Sequence, residues 1–193
     1  MTNKSSDSNL VLTSFKKAGN LKAKQGDLIE IDRTIYSHWA LYIGRGEVVH
    51  VACENLDDGA TKAYIVKCRL VDLAGPGLVR VNNKYVAAKR RGLVSLKSRT
   101  VINNALSMVG QRVHFNWMNK NSEHYVTGWK YGVSWSDQST MAKQAMTIFS
   151  SSMTGKMDDS VHTELSRSIK SLLRCKVSNP VTSQKSVTPQ RNS

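Results

Sequence analysis

Long apolar runs are missing from this sequence. No stretch approaches the roughly 18–20 apolar residues that a helix needs to cross a bilayer. The first thirty residues hold no apolar segment of the kind a secretory leader requires. Cysteine is scarce too. Cys53, Cys68 and Cys175 are an odd number, far apart, with no C-x-x-C pair. That spacing argues against a disulfide framework and a zinc site, and for a reducing, cytoplasmic setting. Zinc-finger spacing, an aromatic RNA-binding signature and a helix-turn-helix are all absent, so nucleic acid is not an expected partner. No metal or cofactor is expected, and there is no internal repeat.

Acidic residues are also few. Fourteen Asp and Glu face 28 Lys and Arg, a net charge of +14 over 193 residues. The excess is uneven. Residues 1–25 hold five lysines and one aspartate; residues 141–193 hold eight basic and three acidic residues. Basic tails attract anionic lipid or nucleic acid, or simply keep a chain soluble.

The hydrophobic content of 40% is enough for one modest core. Residues 1–24 are expected to be a basic, polar, mobile tail, with order beginning at Gly26. Residues 25–140 are expected to be the domain. Within it, 27–31 alternates as a strand, and 38–43 and 47–52 are apolar runs separated by Gly44-Arg45-Gly46, a hairpin signal. Residues 63–70 and 78–82 read as further strands. Residues 99–109 have helical spacing ending at Gly110, and a short strand is expected near Val113. A second helix is expected from Ser122 or Glu123 to Tyr131, stopped at Gly132. Strands first and helices after make an α+β domain, an antiparallel sheet packed against helices. Residues 141–193 are expected to be a basic tail, partly helical and partly disordered. Met141, Ala142, Ala145, Met146, Ile148 and Phe149 fit a short apolar helix. In 160–175, Val161, Leu165, Ile169, Leu172 and Leu173 recur at helical spacing among Arg167, Lys170 and Arg174. That basic amphipathic pattern suits an anionic membrane surface or a partner, or a marginal helix lying on the domain.

The candidate chemistry lies at three residues. If the hairpin turns about Arg45, positions summing to 90 face each other, so His50 opposes Ala40. His38 is then one diagonal step away on the same face, at roughly 7–8 Å between Cα atoms, and one imidazole can orient the other. A one-residue slip would break the pair. Ser122 sits at the expected start of the second helix. There the dipole and unpaired N–H groups favour negative charge, on a nucleophile or on an oxyanion. A cysteine so placed, beside a histidine, follows the logic of papain-like thiol hydrolases. A serine there has a second reading, as the N-cap that holds the helix start.

Three blocks carry a resemblance: Gly26-Asp27-Leu28-Ile29-Glu30-Ile31, Ser37-His38-Trp39-Ala40-Leu41-Tyr42-Ile43-Gly44 and Val48-Val49-His50. It continues through Val81-Asn82-Asn83-Lys84-Tyr85 and Asn121-Ser122-Glu123-His124-Tyr125-Val126-Thr127. Tyr131-Gly132-Val133 and Ser136-Asp137-Gln138 complete it. In these blocks the chain resembles the phospholipase A/acyltransferase (HRAS-like suppressor) family, relatives of lecithin:retinol acyltransferase. The resemblance implies a permuted papain-like (NlpC-type) fold. It also implies acyl transfer from glycerophospholipid to water, a lysophospholipid or an amine through an acyl-enzyme. It makes His38 the general base, His50 the histidine that orients it, and Ser122 the occupant of the position where the family has its cysteine nucleophile. His124 is not usually assigned chemistry. Many relatives carry a long hydrophobic C-terminal anchor that is missing here. Two functions stay open: an acyltransferase working through Ser122, or an inactive relative that binds lipid or protein. The expected partners are glycerophospholipid or a membrane surface, with peripheral contact through 160–175.

Overall fold

The computed structural model describes residues 12–33, 36–55, 61–116 and 118–152. Cys175, the amphipathic segment 160–175 and the tail to 193 lie outside the described residues, as do residues 1–11. The side chains of Met146, Ile148 and Phe149 are likewise outside them.

Among the described residues six antiparallel strands form one sheet, in the order β5-β1-β2-β3-β4-β6. They are β1 (Leu28–Asp32), β2 (Ser37–Gly44), β3 (Glu47–Asn55), β4 (Thr61–Arg69), β5 (Val79–Val81) and β6 (Arg112–Val113). Among the described residues five α-helices accompany them: α1 (Leu70–Ala74), α2 (Tyr85–Arg90), α3 (Ser98–Leu106), α4 (Ser122–Tyr131) and α5 (Asp137–Ser152). The class is α+β, as the sequence pattern requires. The fourth strand gives way to α1 at Leu70, where the expected strand 63–70 was to end. α1 and α2 are too short for periodicity to reveal. α3 stops at Leu106, three residues before the expected end. Gly110, at φ 85°, then turns its N–H onto the Ile65 carbonyl and leads into β6.

Side chains alternate across the sheet and divide the core in two. On one face Leu28, Trp39, Leu41, Val49, Val51, Ala63 and Ile65 meet Val101 and Ala105 of α3 and Tyr125, Val126 and Trp129 of α4. On the other, Ile29, Ile31, Ala40, Val48 and Val79 meet Leu70 and Ala74 of α1. Burying an aliphatic or aromatic side chain completely contributes about 1.5–3 kcal/mol. The first of these layers therefore fixes where α4 lies on β2 and β3.

Upstream of Gly26, where a mobile tail was expected, the chain touches the sheet edge. Lys16 bridges Val79, the Thr13 hydroxyl donates to the Val81 carbonyl, and the Arg80 guanidinium lies 4.3 Å over the Phe15 ring. In α5, Met141 is 69% exposed and Ala145 is exposed, so neither packs against the domain.

Candidate active site

The hairpin sets the first geometry. Arg45 and Gly46 both have positive φ, 51° and 77°, as a two-residue type I′ turn requires. The pair flanking the turn is Gly44↔Glu47, and those numbers sum to 91. A bulge between Tyr42 and Gly44 then shifts the register, and the next pairs are Tyr42↔Val48, Leu41↔Val49 and Ala40↔His50. Without that extra residue His50 would oppose Leu41 and leave His38's face. With it, His38 Nε2 lies 3.1 Å from His50 Nδ1, with the rings edge to face.

The β2–β3 ladder opens just beyond this pair. The Tyr42 N–H donates to Asp27 on the β1 side, so by alternation the Trp39 N–H points toward β3. Its ladder partner would be the Val51 carbonyl. The register stops at Ala40↔His50, and the two groups are used otherwise. Trp39 N–H donates to Ser122 Oγ at 3.2 Å, and His50 Nδ1 lies 3.0 Å from Val51 O. Ser122 thus reaches the strand backbone where the sheet splits, next to the residue that carries the His38 side chain. The link runs through Trp39; no direct hydrogen bond joins Ser122 to His38 among the described contacts.

Ser122 is the first residue of α4, not its cap. The cap is Asn121, whose side-chain oxygen accepts from the Glu123 and His124 N–H groups. His124 Nδ1 in turn accepts from the Asn121 N–H at 3.2 Å and closes a capping box. That removes the reading of Ser122 as the N-cap and gives His124 a structural task. The Asn121 amide also donates to Ser136 and Ser139, which tie α4 to the start of α5. Of the first amides in α4, the Ser122 N–H is the one Asn121 does not engage.

Beside Ser122, the Glu123 carboxylate is fully buried and ion-paired to Lys84 at 2.5 Å. Lys84 also pairs with Asp137 at 2.7 Å and stands 4.8 Å over the Trp39 ring. Glu123 accepts further bonds from the Ser136 hydroxyl, the Asp137 N–H and the Gln138 side chain. Gln138 then accepts from the Ser37 N–H at 2.8 Å and donates to the Ser37 carbonyl at 3.0 Å. One glutamine therefore holds the strand end that carries His38 and the helix start that carries Ser122. Lys84, Asp137 and Gln138 had no role in the sequence reading. Their signal was present, because all three fall inside blocks that carry the family resemblance.

Electrostatically the site disfavours cations. Burial, the neighbouring His50 and the Arg33 guanidinium hold His38 well below the usual histidine range. Burial pushes His50 down to about 4, with Arg33 adding to the effect and the Val51 carbonyl opposing it. Both imidazoles are neutral at pH 7. The Cys68 thiol does not supply a reactive group in place of Ser122. Cys53 and Cys68 are half-buried on β3 and β4, and burial and Asp72 push the Cys68 thiol up to about 11. Among the described residues no group of three or more His, Cys, Asp or Glu is placed to hold a metal ion. No described helix is long and apolar enough to cross a membrane.

Comparison with known proteins identifies the family. The family model for lecithin retinol acyltransferase matches residues 21–135. Human phospholipase A and acyltransferase 3 is 39% identical over 125 residues, covering 60% of this chain and 75% of the relative. Human phospholipase A and acyltransferase 2 is 38% identical over 131 residues, covering 63% and 78%. The mouse form of phospholipase A and acyltransferase 3 is 37% identical over 135 residues, covering 65% and 81%. With a family match over more than half its length, the chain belongs to the lecithin retinol acyltransferase family, whose relatives here are named for lipid metabolism.

Proposed function

We propose that this chain carries an acyl-transfer site for glycerophospholipids, with Ser122 in the nucleophile's place, His38 as general base and His50 orienting it. The observation that carries the reading is Ser122 at the first position of α4, bonded to the strand backbone where β2 and β3 part beside the histidine pair. In the reaction, Ser122 Oγ attacks the ester carbonyl carbon and His38 takes the hydroxyl proton. The Ser122 N–H, the amide that Asn121 leaves unengaged, faces the charge that develops on the carbonyl oxygen. Collapse breaks the ester C–O bond, and His38 returns the proton to the departing lysophospholipid. A water, lysophospholipid or amine acceptor then attacks the acyl-Ser122 carbonyl and loses its proton to His38; the acyl–Oγ bond breaks, and His38 returns that proton to Ser122 Oγ.

The same geometry argues that turnover through Ser122 is low. A thiol has a pKa near ~8.5 and becomes a thiolate beside a helix N-terminus and an imidazolium. A hydroxyl is far less acidic and depends on the base during attack. Here the base is a histidine whose proton affinity burial has reduced. The second function, an inactive relative that binds lipid or protein, draws support from this mismatch between a weak base and a hydroxyl.

The test is intact-protein mass after incubation with phospholipid vesicles, for the Ser122 chain and Ser122→Cys side by side. An acyl adduct and strong hydrolysis in the Cys form, with little in the Ser form, is the expected result. A Cys form that stays inert and unmodified overturns the assembled-site reading. A Ser form that turns over, at rates lost in His38→Ala, overturns the low-activity reading.

A further inference from the structure

We propose that the connector from α2 to α3 is a docking surface for anionic lipid bilayers, separate from the C-terminal segment 160–175. Residues 84–99 hold six cations, Lys84, Lys89, Arg90, Arg91, Lys97 and Arg99, and no acidic residue. Lys84 is committed to Glu123 and Asp137, and Arg91 pairs with Asp137 at 3.0 Å. The other four are exposed, and none has a carboxylate partner among the described ion pairs. Among them stands Val94, 83% exposed, with Val86 and Leu96 also exposed.

The connector is held in place while it presents these groups. Ala88 is buried against Tyr131 and Trp135, with Leu93 packed beside them. The Leu93 N–H donates to Ala88 O, and the Leu96 N–H donates to Lys130 O. Arg91 lies over the Trp135 ring and donates to Ala87 O. An anchored loop that keeps aliphatic side chains in water, ringed by unpaired cations, matches an interface with anionic headgroups outside and acyl chains beneath. Charge complementarity selects the occupant: phosphate-rich headgroups for the cations, and the acyl boundary for Val94. A folded acidic protein or a nucleic acid would satisfy the cations and leave Val94 unused. The surface is coupled to the site through Lys84, which bonds Glu123 next to Ser122. The choice of lipid as partner rests on the acyl-transfer reading above. Binding is read without turnover, so an inert Ser122 still permits the test.

The experiment is co-sedimentation of the full chain with phosphatidylcholine vesicles, with and without phosphatidylserine. It compares Arg90→Glu/Lys97→Glu with Lys22→Glu/Arg69→Glu, which changes net charge equally at exposed sites elsewhere. Each cation near an anionic surface is worth about fivefold in binding. The connector pair is therefore expected to lose at least about 25-fold on phosphatidylserine vesicles, and the control pair far less. Val94→Ser, which changes no charge, is expected to weaken vesicle binding and leave retention on heparin unchanged. Equal losses for the two charge pairs overturn the proposal. Loss with the connector pair but none with Val94→Ser also overturns it, and assigns the patch to a polyanion such as nucleic acid or an acidic protein.

Discussion

Ser122 Oγ accepts the Trp39 amide proton at 3.2 Å, taking the place that the Val51 carbonyl would hold had the β2–β3 ladder continued. A helix start and a strand interior are joined there by one side-chain atom. The oxygen reaches the backbone of the residue that follows His38, where the ladder stops one residue short.

In the Ser122→Cys background, removing the base should show the division of labour. His38→Ala is expected to lower phospholipid hydrolysis by about 10²–10⁴-fold, the usual contribution of general base catalysis. His50→Ala is expected to cost less, because it removes orientation but leaves the base. Steady-state assays on vesicles check both, and equal activity in His38→Ala and the parent would refute the assignment.

Acid should weaken this fold before its carboxylates are protonated. His38 and His50 have folded pKa values below the unfolded histidine value of 6.5, with His50 at about 4. The unfolded chain then binds more protons in that range, so stability is intact above pH 6.5 and falls as pH drops toward 4. Urea midpoints at pH 7 and pH 5 measure the slope. The slope should shrink in His50→Gln; an unchanged slope would place the acid sensitivity elsewhere.

Alkali should do the opposite through Lys130. This lysine is buried, donates to the Gly26 carbonyl and has no carboxylate partner among the described ion pairs. Burial brings its pKa down from 10.5 to about 8. Stability should therefore rise between about pH 8 and 10, as the folded chain sheds a proton that the unfolded chain keeps. Lys130→Met should abolish the rise, and a rise that persists in that variant would rule out Lys130 as its source.

Glu123→Gln keeps the shape of the buried side chain and removes its charge. Lys84 would be left with Asp137, which is about one-third exposed. Losing one member of a buried pair typically costs about 3–5 kcal/mol, so a loss near about 3 kcal/mol is expected here. Lys84→Met combined with Glu123→Gln should cost less than the two single changes added. Additive losses in chemical denaturation would show that the two do not act as a pair.

The N-cap gives a smaller effect. Asn121→Ala should lower stability by about 1–2 kcal/mol, near the upper end for caps because the Ser136 and Ser139 bonds go too. Ser122→Ala removes no cap, but takes the Oγ acceptor from the Trp39 N–H. Asn121→Ser keeps a capping oxygen and should recover most of the loss in thermal melts; no recovery would rule out the cap as its source.

The sequence by itself determined the family, the α+β class and the three candidate positions. Period-two alternation marks β1, apolar runs mark β2 and β3, a turn signal joins those two, and Gly132 stops α4; these are local properties that a chain states directly. It also placed His50 opposite Ala40, although the reason lay elsewhere. The two-residue turn at Arg45–Gly46 alone would set a register summing to 91, and the bulge beyond Tyr42 restores 90. A bulge is a compromise between two strands and leaves no periodic mark. The cap assignment depended on three-dimensional contact as well: Asn121 and Ser122 are both good capping residues, and the packing of Ser136 and Ser139 on Asn121 favours the first. Tertiary structure alone decided that Glu123, Lys84 and Gln138 clamp the site, because these residues come from α4, the start of α2 and the start of α5. A charge buried so completely is tolerable only where partners distant in sequence converge on it, and only the fold brings them there.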